Sequence, residues 1–397
     1  MKPLALVFFA DALSAIEVCW SLHEANFEVL ALAKQGVPCP LRYSRLIKII
    51  TVPNPEIDFQ ESGERILDLL NKQGLKNDPQ ILVPLDDASV LLCSTLKLPK
   101  STRQASPKSN IAEIAIDKWQ QIQLASQSGF NVIETKIVDR FCPLDSIETP
   151  CILKPRLAIE KENNQIAKRS FYSCPDATAL QEASIEVAEN ATHMSQPFLN
   201  GVGEGIFGFA TDDTVHVLSA HRRIRMMNPE GSGSSACRNN AIEPELEAAA
   251  HKFVKNSGWT GLFMIELIRD ENGKAWFMEF NGRPWGSTTL ARRIGLEYPA
   301  WHAQAALGIE LPPISKPTFT PKTCRHIGRE IVHLLFVLRG PRKNVNNKWP
   351  SRFGTFIELL TPRANQHWYN FRWSDPIPFF ADTFYTVMKT IFNRKAY

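Results

Sequence analysis

Short apolar runs alternate with amphipathic stretches in the first part of the chain. The runs predict buried strands, and the stretches between them have the spacing of helices: strands at 4–10, 27–33, 46–52 and 80–85, and helices at 12–26 and 61–71. This alternation is typical of a doubly wound α/β unit. The polar, unpatterned stretch 97–110 is interpreted as a connector, so we expect a domain boundary near residue 105.

Beyond the connector the pattern predicts a mixture of helices and antiparallel strands. Helices are expected at 111–128, 177–190 and 244–257, strands at 131–138, 151–155 and within 196–227, and a Gly/Ser loop at 231–235. A hairpin is expected at 261–268 and 274–280, with its turn at 270–273. The chain therefore divides into an α/β domain at 1–104, an α+β body at 105–310 and an extension at 311–397.

Composition narrows the class of protein. The chain has 397 residues, of which 44% are hydrophobic and 22% charged, which excludes a disordered or collagenous protein and suits two or three domains. Its eight cysteines form no C-x-x-C pair, which indicates reduced, buried thiols in a cytoplasmic protein. The first apolar run imitates a secretory signal, but Asp11 interrupts it and a strand pattern follows, so we expect a strand there.

The extension differs from the rest of the chain in charge. Residues 311–397 carry 14 Lys and Arg against 4 Asp and Glu, whereas residues 1–310 have a net charge of −6. The last 49 residues contain 13 aromatic residues, and a helix is expected at 378–397. Basic aromatic segments can lie on anionic membranes, but we prefer the interpretation that the aromatics pack on the body. Nucleic-acid binding is not expected, because no motif beyond charge supports it.

The predicted hairpin carries the most informative chemistry. Glu266 on its first strand lies across from Glu279 on its second. One face of the second strand is polar and the other apolar: Glu279, Asn281 and Arg283 against Met278 and Phe280. Strands are depleted in Glu and Asn, which argues against a merely solvated sheet face. Two carboxylates and an amide oxygen suit Mg²⁺ held partly by substrate phosphates, which Arg283 can also meet.

Two further clusters have competing explanations. His221, Arg223 and Arg225 alternate along a predicted strand and share one face, which suits a carboxylate or acyl phosphate, or else is a solvated basic face. Asp86 and Asp87 follow a predicted strand, where open α/β sheets bind ligands, although a helix cap explains them equally well. No Walker motif, glycine-rich dinucleotide turn or nucleophile elbow is present.

The stretch Glu279-Phe280-Asn281-Gly282-Arg283, preceded by Glu266, resembles the metal-binding signature of the ATP-grasp superfamily. The branch it resembles is that of the carbamoyl phosphate synthetase large subunit, and residues 286–291 fit that branch as well. The resemblance covers roughly residues 4–310. It implies an ATP-grasp fold with a Rossmann-like N-terminal domain, a nucleotide lobe at about 105–198 and a catalytic lobe at about 199–310.

The resemblance also implies roles for single residues. Lys118, in Asp117-Lys118, and Lys154, in Ile152-Leu153-Lys154-Pro155, would hold ATP phosphates, and Glu266, Glu279 and Asn281 would bind Mg²⁺ or Mn²⁺. The linking strand would contact adenine and ribose: Gln196, where the family commonly has Glu, then Phe198, Leu199 and Glu204. The chain departs from the family at the glycine-rich flap, because residues 156–200 contain no glycine. Either Lys161, Lys168 or Arg169 acts there through side-chain charge, or the flap is poor and turnover is slow or absent.

The activity implied by the resemblance is ATP-dependent joining of a carboxylate to an amine through an acyl phosphate, with Arg283, Arg223 and Arg225 stabilising charge. Small-molecule carboxylates and amines are the expected partners. A bicarbonate-activating enzyme and a nucleotide-binding protein without turnover are the alternatives. We further expect a cytoplasmic protein and a homodimer, with residues 345–397 as the segment that would contact the inner face of a membrane.

Overall fold

The computed structural model describes residues 2–74, 79–107, 109–138, 146–189, 192–341, 349–361 and 364–392. In the N-terminal part, strands alternate with helices: β1 Leu4–Phe8, α1 Ala15–Glu24, β2 Glu28–Lys34, β3 Lys48–Val52, α2 Phe59–Gly74, β4 Gln80–Pro84, α3 Asp87–Thr95 and β5 Thr102–Gln104. These strands form one parallel sheet in the order β3-β2-β1-β4-β5. Every residue of β1 and β4 is buried, because separate apolar clusters cover the two faces of the sheet.

The part of the chain that follows is built on a small antiparallel sheet. Its elements are α4 Ser109–Ala112, α5 Lys118–Ser128, β7 Lys136–Val138, β8 Cys151–Pro155, β11 Tyr172–Cys174, α6 Ala177–Glu189 and β12 His193–Pro197. The strands lie in the order β11-β8-β12-β7. A separate hairpin, β9 Glu160–Glu162 and β10 Gln165–Ala167, follows β8.

The part expected to be the catalytic lobe is built on an eight-stranded sheet. Its elements are β6 Asn131–Val132, β13 Val202–Ala210, β14 Val215–Asn228, β15 Ser232–Asn240, α7 Pro244–Ser257, β16 Gly261–Arg269, β17 Ala275–Asn281, α8 Thr288–Arg293, α9 Tyr298–Ala306, β18 Thr323–Arg325 and β19 Gln366–Trp368. The order is β19-β18-β15-β14-β13-β16-β17-β6. One sheet face packs on α5 and α7 through Phe253, Phe277 and Phe280, so the opposite face is left for the site.

The extension is part of the fold rather than a separate tail. It supplies β18 and β19 to the eight-stranded sheet and three further helices: α10 Ile327–Arg339, α11 Arg352–Leu360 and α12 Ile377–Phe392. Asp375 is buried and accepts a hydrogen bond of 3.0 Å from the Trp20 indole of the N-terminal domain. The extension therefore packs on the body, but several of its aromatics stay exposed, so the preferred interpretation holds only in part: Phe353, Phe356, Trp373, Phe380, Phe384 and Phe392. Residues 393–397 of the predicted closing helix lie outside the described residues.

Several predicted elements were wrong in detail. The expected helix at 111–128 is broken before Lys118, because Asp117 caps α5 by accepting from the backbone N–H of Trp119 at 2.9 Å. The expected strand at 131–138 is divided between two sheets as β6 and β7. The connector contains β5, and the Gly/Ser loop is the beginning of β15, because burial of Ser235 and Ala236 in the sheet overrides their weak strand preference.

The cysteines bear out a simpler expectation. The seven cysteines within the described residues are free and buried, and Cys142 lies outside them. Across the described ranges, no helix combines enough length and apolar character to span a bilayer.

Candidate active site

The two acidic residues of the hairpin lie side by side. In the register of β16 and β17, Glu266 pairs directly with Glu279, as the hairpin predicts. The next pair is Leu267 with Phe277, so Met278 is an extra residue in a β-bulge. Phe277 and Phe280 therefore face the core together. The expectation that Met278 shares the apolar face with Phe280 was wrong. The bulge keeps Glu279 on the sheet face opposite α5 and α7.

Cations surround the Glu266–Glu279 pair. The Nζ of Lys118 lies 3.3 Å from Glu279, and the guanidinium of Arg223 contacts Glu266. Burial alone would raise the pKa of the Glu279 carboxyl, but Lys118, the Asn281 amide, Lys154 and Arg283 together lower it to about 2. Burial raises the pKa of Glu266 against the opposing effect of Arg223. Glu279 is therefore a carboxylate at neutral pH, in a site dominated by positive charge.

This donor set fits a magnesium ion shared with phosphates better than an all-protein metal site. Mg²⁺ is commonly held by one or two carboxylates together with substrate phosphates. Among the described side chains, no group of three or more His, Cys, Asp and Glu could hold a metal ion. Asn281 completes the set, since its Nδ2 donates to Glu279 at 3.1 Å and its Oδ1 accepts from Arg283 at 2.9 Å.

Two lysines face the carboxylate pair across an open cleft of about 280 Å³. Lys118 begins α5, and Lys154 lies on β8 opposite Met194 of β12. Burial, followed by repulsion from Lys118, lowers the pKa of Lys154 to about 8, although Glu279 and Glu266 act in the opposite direction. A buried lysine beside another cation favours a polyanionic ligand, because the ligand charge offsets both the desolvation and the repulsion.

The N-terminal domain contributes one carboxylate to this cleft. Arg283 donates from Nε to Asp87 at 2.6 Å, which fixes the guanidinium beside Asn281. Asp86 instead caps α3 in a reciprocal bond with Ser89. The helix-cap explanation is therefore confirmed for Asp86, and the ligand-site explanation stays a prediction for Asp87. Asp87 lies at the carboxyl end of β4, where the strand order reverses and open α/β sheets bind ligands.

Gln121 is a site residue that sequence reasoning missed. Its buried amide accepts from the Phe280 backbone N–H at 2.9 Å and donates to the Phe280 carbonyl at 3.1 Å. These two bonds hold the end of β17 against α5, and so hold Glu279 near Lys118. A glutamine within a helix pattern gives no sequence signal for such a role, because its partner is 159 residues away.

The linking strand only partly matches the expected adenine contacts. Gln196 is buried and its Nε2 donates to Thr135 Oγ1 at 2.8 Å, which leaves its amide oxygen directed elsewhere. The Phe198 backbone N–H donates to the Pro150 carbonyl at 3.0 Å, and Leu199 lies in the coil before β13. Gln196 pairs with Ile152 of β8, and Ile152 and Lys154 lie two residues apart on that strand. Gln196 and Lys154 therefore lie on the same face of the small sheet.

Glu204 is not brought to the cleft. It pairs with Leu267, whereas Gly205 pairs with Glu266, so Glu204 faces the opposite side of the sheet from Glu266. Its carboxylate is buried and forms an ion pair of 2.9 Å with Arg269. This arrangement does not support the expected contact with a ribose.

A hairpin without glycine occupies the place of the flap. Asn163 and Asn164, both at positive φ, form the turn between β9 and β10. The Asn164 side chain donates to Asp58 at 2.8 Å and accepts from the backbone N–H of Gln60 at 2.9 Å, so the tip is pinned to the start of α2. Lys168 and Arg169 line the cleft, as expected for side-chain charge near phosphates. Lys161 instead lies over the Phe59 ring, with Nζ 4.3 Å from its centroid.

The basic strand β14 does not carry three cations on one face. Arg223 pairs with Cys237 and Arg225 with its neighbour Ala236, so Ile224 is a bulge and the two arginines face opposite sides. Arg225 is buried in ion pairs with Glu330 and Glu358 of the extension, and the expectation of a shared face was wrong. Burial lowers the pKa of His221 to about 3, so this residue is neutral. Arg223 alone remains for charge near Glu266.

The chain is similar to known proteins in sequence and in structure. The chain is 28% identical over 188 residues to the D-alanine–D-alanine ligase of Nitrosomonas europaea, covering 43% of this chain and 58% of that ligase. The match thus spans little more than half the length of that relative. No protein-family profile matches the chain.

Two solved structures share the architecture. The L-amino acid ligase from Bacillus licheniformis superposes with a TM-score of 0.56 at 17% identity, over 77% of this chain and 74% of that chain. The biotin carboxylase domain of Hydrogenobacter thermophilus 2-oxoglutarate carboxylase, in complex with MgADP and bicarbonate, gives 0.60 at 16% identity, over 81% and 74%. At these identities the likeness establishes the fold.

Proposed function

We propose that this chain, which has the ATP-grasp fold, is an ATP-dependent ligase that joins a carboxylate to an amine through an acyl phosphate. The observation that carries the proposal is Glu279, which lines one cleft with Lys118, Lys154 and Arg283 and is paired directly with Glu266 on the neighbouring strand. A structural role does not explain this cluster, because burying several charges costs free energy that apolar residues would not cost.

The residues have distinct roles in the proposal. Lys118 and Lys154 bind the ATP phosphates, and Lys168 of the flap adds charge from the other side. Glu266, Glu279 and Asn281 would hold Mg²⁺, or Mn²⁺ in its place, and the ion would neutralise phosphate charge during transfer. Adenine would lie along the linking strand at Gln196, Phe198 and Leu199.

The proposed reaction has two steps. A substrate carboxylate oxygen attacks the γ-phosphorus, an oxygen–phosphorus bond forms, and the bond to the β-phosphate oxygen breaks to release ADP. The amine nitrogen then attacks the acyl carbon, a carbon–nitrogen bond forms, and the acyl carbon–oxygen bond breaks to release phosphate, which takes the proton of the nitrogen. Arg283 holds the transferred phosphoryl group, and Arg223 lies next to the acyl carbon. Positioning and charge neutralisation supply most of the catalysis.

The proposal is tested by phosphate release over a matrix of acids and amines. We expect ADP and phosphate to form only when an acid and an amine are both present, with a product mass equal to their sum less water. Phosphate release with bicarbonate in place of the acid would support the carboxylase-type alternative. Tight ATP binding without phosphate release in any combination would instead indicate a nucleotide-binding protein.

We also propose where the protein works. The three helices of the extension expose apolar residues at helical spacing: Ile331, Leu335 and Leu338 on α10, Phe353, Phe356, Ile357 and Leu360 on α11, and Ile377, Phe380 and Phe384 on α12. The four acidic residues of the extension bond inward, to Arg225, Arg325, Trp20 and His326. Such a surface suits an anionic bilayer. The proposal is a cytoplasmic enzyme, a homodimer in solution, that contacts membranes through residues 345–397.

A further inference from the structure

A second cavity, of about 190 Å³, lies on the same sheet face as the Glu266–Glu279 pair. Four parts of the chain line it: the N-terminal domain, the eight-stranded sheet, the segment that precedes α8, and the extension. It lies beyond Arg223, whose guanidinium separates it from Glu266. Gly205 pairs with both Glu266 and His221 and carries no side chain, and the Phe207 ring lies over its backbone.

Two buried polar atoms on the cavity wall have no partner within the described part of the chain. They are His221 Nε2 and Trp285 Nε1, on residues that are only 4% and 3% exposed. The Phe207 ring packs against both, with centroids 4.1 Å from His221 and 4.5 Å from Trp285. Buried polar atoms are nearly always hydrogen-bonded, so two unsatisfied ones in one cavity indicate a ligand.

The chemistry of these atoms calls for an acceptor. The Trp285 indole can only donate. His221 is neutral, because burial lowers its pKa, and its Nδ1 lies 2.8 Å from the Ser287 hydroxyl. When that hydroxyl donates to Nδ1, the ring proton is on Nε2, which then donates as well. Arg223 also lies on the wall, so the cavity presents hydrogen-bond donors and a positive charge. A carboxylate can accept those hydrogen bonds and pair with the charge.

The extension provides the remaining wall. Arg329 of α10 reaches the cavity and donates from Nη1 to the Ser234 carbonyl at 3.0 Å. Gly233, at a φ of +63°, turns the backbone so that Arg329 lies alongside. The Tyr369 hydroxyl, 2.6 Å from Cys237 Sγ, closes the inner end. Two cations, Arg223 and Arg329, line the space, and the carboxylate among the lining residues, Glu204, forms ion pairs with Arg269 and Arg222 on the other face of the sheet.

We infer that this cavity binds the carboxylate of an amino acid that serves as the amine substrate, and that Arg329 of the extension completes the subsite. The inference rests on the proposed ligase reaction. The acid that is activated must lie at the Glu266–Glu279 pair, so a carboxylate held beyond Arg223 belongs to the other substrate. Its amino group would then point along the Arg223 side of the cavity, towards the acyl phosphate beside Glu266. The small volume, below the roughly 300 Å³ of drug-sized pockets, suits an amino acid with a short side chain.

The experiment measures binding and turnover separately. Glycine, L-alanine and D-alanine are titrated calorimetrically into the full chain with MgADP, against methylamine and ethylamine, which lack the carboxylate. Trp285→Phe removes the indole donor but keeps a ring, and Arg329→Gln removes the cation. Arg339→Gln, on the exposed side of the same helix, is the matched control.

We expect at least one amino acid to bind, and the matching amine to bind about tenfold more weakly or worse, as for loss of a charge-assisted bond. Trp285→Phe and Arg329→Gln should weaken amino-acid binding and raise the amine KM about tenfold, while the ATP KM and kcat stay within about twofold. Arg339→Gln should change nothing.

Equal affinity for amino acids and simple amines would overturn the inference, as would unchanged affinity in both cavity variants or no amino-acid binding at all. If amino acids bind as expected but no phosphate is released, the subsite stands and the proposed reaction fails. If phosphate release is efficient with amines that lack a carboxylate, the reaction stands and the subsite assignment fails.

Discussion

Glu279 is the residue on which the proposed chemistry depends most. We predict that Glu279→Gln lowers ATP-dependent phosphate release by about 10²-fold or more, because the amide cannot neutralise a metal ion and leaves three neighbouring cations unbalanced. Phosphate release under saturating Mg²⁺ measures this. Glu271→Gln, in the exposed turn of the same hairpin, is the control and should remain active. Full activity of Glu279→Gln would remove the metal assignment.

Lys154 gives the site a dependence on pH. Its pKa in the fold is about 8 rather than the ordinary 10.5, so between these values the unfolded chain binds more protons and the stability of the free protein rises with pH. Nucleotide phosphates favour the charged lysine. The affinity for ADP should therefore fall above pH 8, by up to about tenfold per pH unit.

Calorimetric titration of ADP from pH 7 to pH 10 checks the role of Lys154. In Lys154→Arg the side chain stays charged over this range, so the fall should disappear. An identical pH profile in both proteins would show that another group is responsible.

At the residue scale the sequence predicted the centre of the site better than its edges. Lys118, Lys154, Glu266, Glu279 and Arg283 meet at one cleft, because strand alternation and hairpin register are strong local rules. Alternation failed at the β-bulges, which no local signal announces.

The misplaced residues all lie beside such irregularities or depend on distant partners. Bulges at Met278 and Ile224 turned one apolar residue and Arg225 to unexpected faces. Glu204 pairs with Arg269, which lies far away in the chain, and Gln121 bonds to Phe280, which is 159 residues away. Tertiary pairing of this kind is not encoded within a short window of sequence.

At the scale of elements, side-chain hydrogen bonds at its tip hold the flap hairpin in place, whereas a glycine-rich flap would be flexible. We predict that Asn164→Gly, which keeps the turn but loses the bonds to Asp58 and Gln60, raises the ATP KM several-fold and speeds amide exchange over 160–167. Steady-state kinetics and hydrogen exchange measure the two effects.

The matched control for the flap is Asn163→Gly, which alters the same turn and leaves the docking bonds in place. It should retain the wild-type ATP KM. If both variants behave alike, docking of the tip does not hold the nucleotide.

The long, strongly patterned elements could be predicted from sequence, and the short ones could not. The parallel strands β1 to β4 and the β16–β17 hairpin follow from apolar runs and turn residues. β18 depends on pairing with β15, which lies far away in the chain, and β5 and β15 have a weak strand preference of their own, so composition alone does not predict them as strands.

At the scale of the whole molecule, buried ion pairs join the extension to the catalytic lobe. Glu330 is 2% exposed and contacts both Arg225 and Arg325. We predict that Glu330→Ala destabilises the protein by about 3–5 kcal/mol, because two buried guanidinium groups lose their partner. Chemical denaturation measures this, and Glu310→Ala on the preceding exposed segment is the control. Unaltered stability would mean that the extension is held by apolar contacts alone.

The exposed apolar stripes of the extension lead to a prediction about membranes. The protein should float with vesicles that contain anionic lipid but not with neutral ones, and added salt should weaken the binding. Phe353→Ser with Leu360→Ser should abolish flotation, whereas Ile57→Ser, an equally exposed change on the N-terminal domain, should not. If the protein does not float but dimerises with rising concentration, and these two changes disrupt the dimer, the stripes bind a second copy of the chain.

The central claim is that a carboxylate attacks ATP to form an acyl phosphate. The most direct measurement uses the acid that supports phosphate release, labelled with ¹⁸O in both carboxylate oxygens, and determines the isotopic mass of the inorganic phosphate. The proposed route transfers one carboxylate oxygen to phosphorus, so each phosphate formed should contain one ¹⁸O. Unlabelled phosphate, with the label retained in the product or the acid, would contradict it.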